Sequence, residues 1–290
     1  VDYLRGQATA SAVGLFVICR YLSAFAEGRA EEDLRRSLQL LRTGGTSSDE
    51  AGAVLVASLA IGDGLGIIGR ESSSSPWKVD TDLANGLKAA GDRWPWFRGE
   101  LLRRIAEHGK RELESEGKAP DLVLGLTWFL QLNPLSPLQT DWGLGPEPLV
   151  EALAFDAVSR SDQWRPFLRW AVALGLARRS DTGAAKVVVP DATTAIADQL
   201  ESLPASGSAR DWLSALRERL PLLGSPTLLA ALPKGGPAWD ELPAGVVLAL
   251  LKLERMGVLS LEPSDDASDV ISVGLGSSAR QVGRITVRST

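Results

Sequence analysis

Three times along this chain an apolar helical run closes on a glycine and gives way, within about fifteen residues of polar turn chemistry, to a short strand-forming segment. The first copy passes from Val54 through Leu59 to Leu65 and Gly66, then to Trp77 and Val79. The second passes from Trp164 through Phe167 to Leu174 and Gly175, then to Val187, Val188 and Val189. The third passes from Val246 through Leu250 to Met256 and Gly257, then to Val270, Ile271 and Val273. In each, glycine stands where a helix needs a left-handed residue after its cap, a conformation glycine adopts without a Cβ clash. Two apolar residues that can open a strand come directly after it: Ile67 and Ile68, Leu176 and Ala177, Val258 and Leu259. A helix, a glycine stop and a hairpin make the second half of a winged helix-turn-helix. The pattern therefore predicts a mainly α chain with small β-hairpins, arranged as tandem winged helix-turn-helix units.

At 290 residues the chain exceeds a usual single core of roughly 100 to 200 residues. Three units fit that length: an N-terminal one over residues 1–92, a connecting helix with a central unit over 93–203, and a C-terminal one over 204–290. Helical spacing predicts helices over 12–26, 31–41 and from Ser47, Ser48 and Asp49 onward, then a long charged connecting helix over 97–116. A helix over 122–132 must end at Pro134 and Pro137. Helices over 149–158 and 161–174 and a wing over 176–189 complete the central unit, and a short helix over 192–200 leads to the linker Pro204-Ala205-Ser206-Gly207-Ser208. The last unit has helices over 210–220, 227–232 and 243–256, a wing with Pro263-Ser264-Asp265-Asp266 at its tip, and an alternating strand over 281–288.

The residue inventory narrows the chemistry. Cys19 and His108 are the only cysteine and histidine, so triads and the common zinc arrangements cannot be built within the chain. No Asp or Glu spacing picks out a carboxylate site, and the expected catalytic residues, metal ligands and cofactors are none. Gly64-Leu65-Gly66-Ile67-Ile68-Gly69 matches the dinucleotide-binding GxGxxG pattern. The next residues, Arg70 to Pro76, do not suit a phosphate-binding helix, and a glycine-rich helix stop is expected instead. His108, among Arg103, Arg104, Lys110 and Arg111, is expected on a solvated helix face. Trp94-Pro95-Trp96-Phe97 is expected to lock one module onto the next rather than stack bases.

No run reaches the roughly 18 to 20 apolar residues of a membrane span. Residues 12–18 with Ala24-Phe25-Ala26 imitate a secretory leader, but Arg20 interrupts the apolar segment and Asp2 cancels Arg5. A cytoplasmic location away from membranes is the expectation.

The net charge is −5, so any nucleic-acid contact must come from a local patch. Between Asp156 and Pro190 the chain holds Arg160, Arg165, Arg169, Arg178, Arg179 and Lys186 against Asp156, Asp162 and Asp181. A winged helix meets DNA through its third helix and wing, where these bases lie, so they are the candidate DNA-binding residues. Between Glu241 and Val270 only Lys252 and Arg255 stand against six carboxylates, a surface expected to repel phosphate.

The order of an N-terminal winged unit, the helix Asp121-Leu122-Val123-Leu124-Gly125-Leu126-Thr127-Trp128-Phe129-Leu130, the Pro134-Leu135 turn and Asp162-Gln163-Trp164-Arg165-Pro166-Phe167-Leu168-Arg169-Trp170 before Leu174-Gly175-Leu176 resembles the DpdG family. The segment from Leu250 to Gly257 fits the same pattern. Those proteins belong to bacterial Dpd clusters, which handle 7-deazaguanine-modified DNA and restrict foreign DNA. The resemblance implies a non-catalytic accessory of such a defence system, with helicase, ATPase or nuclease subunits as partners. Double-stranded DNA is the expected ligand of the central unit. The alternatives are a stand-alone winged-helix transcriptional regulator and a carboxylate-dependent enzyme.

Overall fold

The computed structural model describes residues 2–38, 48–182, 186–233, 242–263 and 270–288. Helix α1 (Ala12–Leu22) starts where the Ser11 hydroxyl accepts the Gly14 N–H, which satisfies an otherwise orphaned helix donor. Its Leu15, Ile18, Cys19 and Leu22 are buried, so the leader-like stretch is part of the folded interior. The helix stops at Leu22, short of the expected residue 26. After α2 (Glu31–Leu38), the last expected turn lies outside the described residues, as does the Ser47 cap. Helix α3 (Ser48–Gly64) leads to β1 (Ile68–Gly69), which pairs antiparallel with β2 (Lys78–Val79). Helix α4 (Thr81–Lys88) is capped by the Asp80 carboxylate, which accepts the Leu83 N–H at 3.1 Å. Helix α5 (Trp94–Glu116) begins earlier than its periodicity suggests, because Pro95 suits a first helical turn. Trp94 stacks on Phe97 at 6.2 Å and Phe16 of α1 meets both rings, so the aromatic cluster packs α5 against α1.

Helix α6 (Asp121–Gln131) is followed by β3 (Leu138–Gln139), α7 (Glu147–Leu153), α8 (Ser161–Ala173), β4 (Ala177–Ser180) and β5 (Val187–Pro190). The β4–β5 hairpin forms as expected, and β3 joins it from a loop to give the antiparallel order β3-β5-β4. Helix α7 ends before residue 158 because Ala154 turns left-handed at φ 49. That costs about 1–2 kcal/mol. Phe155, brought by the turn to 5.4 Å from Trp128, returns about 1.5–3 kcal/mol on burial, and the turn also buries Val158.

The remaining elements are α9 (Thr193–Ala197), β6 (Ser206–Ser208), α10 (Ala209–Arg219), α11 (Pro226–Ala230), α12 (Ala244–Arg255), β7 (Leu259–Glu262), β8 (Ile271–Leu275), β9 (Ser278–Val282) and β10 (Arg284–Val287). The expected linker at 204–208 contains β6, whose Ser208 caps α10. Residues Asp121 to Leu130 of α6 are all buried, as a helix apolar on every side must be. It touches α5, α8, α11, α12 and β5, and buried apolar side chains from Tyr3 to Ile285 form one continuous cluster around it. The molecule is mainly α with small antiparallel sheets. No helix among the described residues is long and apolar enough to cross a membrane.

The three glycine stops share one geometry. Gly66, Gly175 and Gly257 have φ of 64°, 71° and 76°. Each donates its N–H three residues back, to Asp63, Val172 or Glu254, and the next residue donates five back, to Gly62, Ala171 or Leu253. These paired bonds are the Schellman closure, which satisfies carbonyls a helix end would otherwise leave open. The third copy then departs from expectation. Strand β7 pairs with β10 in the order β6-β10-β7, not with the next strand. Strand β8 instead closes on β9 through a two-residue turn at Gly276 and Ser277. A two-residue loop costs little closure entropy, and β10 sets Ile285 against Leu261 and Val287 against Leu259.

A Cβ at Gly257 meets nothing within 4 Å, whereas one at Gly175 lies 3.0 Å from the Ala195 nitrogen and the Thr194 Cβ. Gly257→Ala is therefore expected to cost about 1–2 kcal/mol, the left-handed strain alone. Gly175→Ala should cost clearly more. Denaturant midpoints check this, and equal losses would refute the close approach at α9.

Candidate nucleic-acid interface

Helix α8 separates two chemistries by its spacing. Trp164, Phe167, Trp170 and Ala171 are buried, with Trp164 stacked on Phe167 at 5.2 Å. Arg165, Arg169 and Val172 face outward, where they form one wall of a cleft of about 1060 Å³. The second wall is the stretch from Gln139 to Trp142 after β3, and the third is the β4–β5 hairpin through Arg179 and Lys186. Val13 of α1 also lines it.

Hydrogen bonds hold the second wall in place. Thr140 donates its N–H to the Lys186 carbonyl at 2.9 Å, and its carbonyl accepts the Trp164 indole N–H at 2.9 Å. Trp142 donates its indole N–H to Glu147 Oε1 at 2.8 Å and stands edge-on to Trp164 at 6.5 Å.

Four of the six expected basic residues converge here: Arg165, Arg169, Arg179 and Lys186, with Asp141 the one carboxylate among the lining residues. Arg165 and Lys186 form no ion pair among the described residues. Arg179 pairs with Asp181 at 2.8 Å, both exposed, an arrangement worth about 0–1 kcal/mol and readily exchanged for another anion. Arg169 is partly committed: it donates to the Ala10 carbonyl at 2.9 Å and to that of Ala8, and burial lowers its pKa from the ordinary arginine value. Arg160 pairs with Asp162 at 3.3 Å and does not line the cleft. Arg178 neighbours Arg179 on a strand, so the two point to opposite faces. Trp142, Thr140 and Val13 also line the cleft, and no charge or motif in the sequence marks them. The usable signal was a tryptophan isolated in a loop between Pro137 and Pro146.

The other candidates resolve differently. The GxGxxG segment joins helix α3 to strand β1, the reverse of a strand–turn–helix cradle. Lys252 is bound to the Asp191 carboxylate; burial pushes that acid's pKa up, but Lys252 and Thr193 outweigh it and hold it below the ordinary value. Cys19 is buried, which pushes its thiol pKa far up and leaves it unreactive. Among the described residues no group of three or more His, Cys, Asp or Glu is placed to hold a metal ion.

His108 is not on a solvated face. It is buried, its Nδ1 lies 2.8 Å from the Tyr3 hydroxyl, and its Nε2 lies 3.5 Å from Glu112. The helix turns this residue inward because the N-terminal segment packs there, held by Tyr3, Leu4 and Arg5 N–H groups donating to the buried Asp121 carboxylate. Burial lowers the His108 pKa, helped by Arg111 and opposed by Glu112. The unfolded chain then binds the proton more tightly, so stability is complete above about pH 6.5 and falls as pH drops below it. His108→Gln should remove that fall in denaturation curves between pH 8 and 5. An unchanged pH slope would show that His108 does not carry it.

Together the fold and the cleft define a mainly helical protein with small antiparallel sheets and a basic, aromatic-lined surface cleft. The chain belongs to the DpdG-like family: the family model of that description matches residues 5–267, most of its length. Membership associates it with Dpd-type systems. Neither the curated proteins nor the solved structures compared with the chain match it.

Proposed function

We propose that this chain is a non-catalytic adaptor of a Dpd-type DNA modification and restriction system. It binds DNA phosphates through the α8 cleft and partner subunits of the helicase, ATPase or nuclease kind elsewhere. The observation that carries this reading is the gathering of Arg165, Arg169, Arg179 and Lys186 in one cleft of a protein with net charge −5. Family membership supplies the DNA-restriction context. The run from α8 through Gly175 into β4 and β5, and from α3 through Gly66 into β1 and β2, supports winged-helix units in the two N-terminal thirds. Cationic side chains reaching phosphates position a protein on DNA without reading its sequence. The absence of a catalytic role is part of the proposal, supported by the structural employment of His108 and the burial of Cys19.

The test is titration of the purified protein into labelled duplexes of unrelated sequence over a range of salt. Comparable affinities that fall steeply with salt are expected. Tight binding to one sequence by a two-fold dimer would favour a transcriptional regulator, and no binding at low salt would remove DNA from the proposal.

A further inference from the structure

The cleft contains more than a phosphate site needs. Beside its cations it exposes Val13, 51% accessible, and Val172, 41% accessible, and presents the half-buried ring of Trp142. A duplex offers such a recess phosphates and sugars, with its base faces hidden in the stack. An unpaired base offers an apolar π-face together with the phosphates on either side of it. At about 1060 Å³ the cleft lies just above the roughly 300–1,000 Å³ usual for pockets that enclose one small ligand. It has room for more than one nucleotide. The Trp142 ring is also preset, since its N–H is held by Glu147 and its edge by Trp164. Asp141, the carboxylate on the rim, is turned to its own loop by the Leu144 N–H at 3.3 Å.

We infer that the cleft takes a short single-stranded stretch of DNA, one base stacked on Trp142 and the flanking phosphates on Arg165, Arg179 and Lys186. This rests on the cleft being the DNA site, and adds that the strand there is unpaired. A charged groove with an aromatic platform is the general means of holding single strands, and each stacked base contributes about 5- to 100-fold in affinity.

The experiment measures binding of labelled oligo-dT of about a dozen nucleotides and of a duplex of equal length, by anisotropy. Wild type should prefer the single strand by about fivefold or more. Trp142→Leu, which keeps apolar bulk, should weaken oligo-dT binding by about 5- to 100-fold and leave duplex binding unchanged. Trp142→Phe, which keeps the ring face, should bind oligo-dT nearly as wild type does, but with less quenching of tryptophan fluorescence on saturation. Equal quenching in the two proteins would overturn the inference whatever Trp142→Leu does to folding. If Trp142→Leu binds oligo-dT normally while Arg165→Ala/Arg179→Ala/Lys186→Ala weakens both ligands, the inference falls and the DNA reading stands. If that triple variant changes neither ligand, both fall.

Discussion

Replacing Arg165, Arg179 and Lys186 together by alanine should flatten the salt dependence of duplex binding by about 2.7 in log–log slope, near 0.9 for each phosphate no longer neutralised. Relative to 1 M salt, this corresponds at 0.1 M to a loss of about 500-fold, felt alike on unrelated sequences. The three side chains line the cleft, and among the described residues their one ion pair is the exposed Arg179–Asp181, so the fold should not register their loss. Arg169 is left in place because its guanidinium ties down the Ala8 and Ala10 carbonyls. Arg160→Ala and Arg178→Ala, outside the cleft, should each change the slope far less. Lys252→Ala should lower stability by stranding the buried Asp191 carboxylate, with no effect on DNA. An unchanged slope in the triple variant would take away the observation on which the DNA reading depends.

Trp164→Ala should cost about 3–5 kcal/mol of folding stability, a large part of the roughly 5–15 kcal/mol available to a folded protein. The side chain is 1% exposed, stacks on Phe167, meets Phe129 and Trp142 edge-on, and donates its indole N–H to the Thr140 carbonyl. Its removal leaves a cavity under α8 and unties the stretch that positions Trp142. Trp164→Phe fills most of that space and gives up the hydrogen bond, so it should cost only about 1–2 kcal/mol. Equilibrium denaturation measures both. A loss below about 1 kcal/mol for Trp164→Ala would show that this ring does not organise the central packing.

The cleft was half legible in the sequence. Helical spacing separates Arg165 and Arg169 from Trp164, Phe167 and Ala171, so the basic face of α8 can be read from residue types alone. That Arg179 and Lys186 join it stems from the antiparallel pairing of β4 with β5, strands that are neighbours in the sequence. Trp142 comes to the same place only because β3, two residues long, pairs with β5. Nothing in two residues announces a strand. Arg178 and Arg160 are as basic as their neighbours, but strand alternation turns Arg178 to the other face and Arg160 lies outside the lining of the cleft.

The sequence by itself determined the three helix ends. A left-handed residue after the cap is a requirement of one residue's own backbone, and Gly66, Gly175 and Gly257 meet it wherever the helices are placed. It also determined the buried character of α6 and the two faces of α8, because 3.6-residue periodicity is a property of the local run. Tertiary structure decided which strand β7 pairs with, the burial of His108 beneath Tyr3, and the enclosure of a basic face into a cleft by Val13 and Trp142. Those outcomes depend on which apolar faces cover one another across the chain: Ile285 wins β7 by filling the space beside Leu261, and Asp121 draws in the N-terminal segment through three backbone donors. Competition among distant partners is settled by packing and by satisfaction of buried polar groups, and neither is written in any single stretch of sequence.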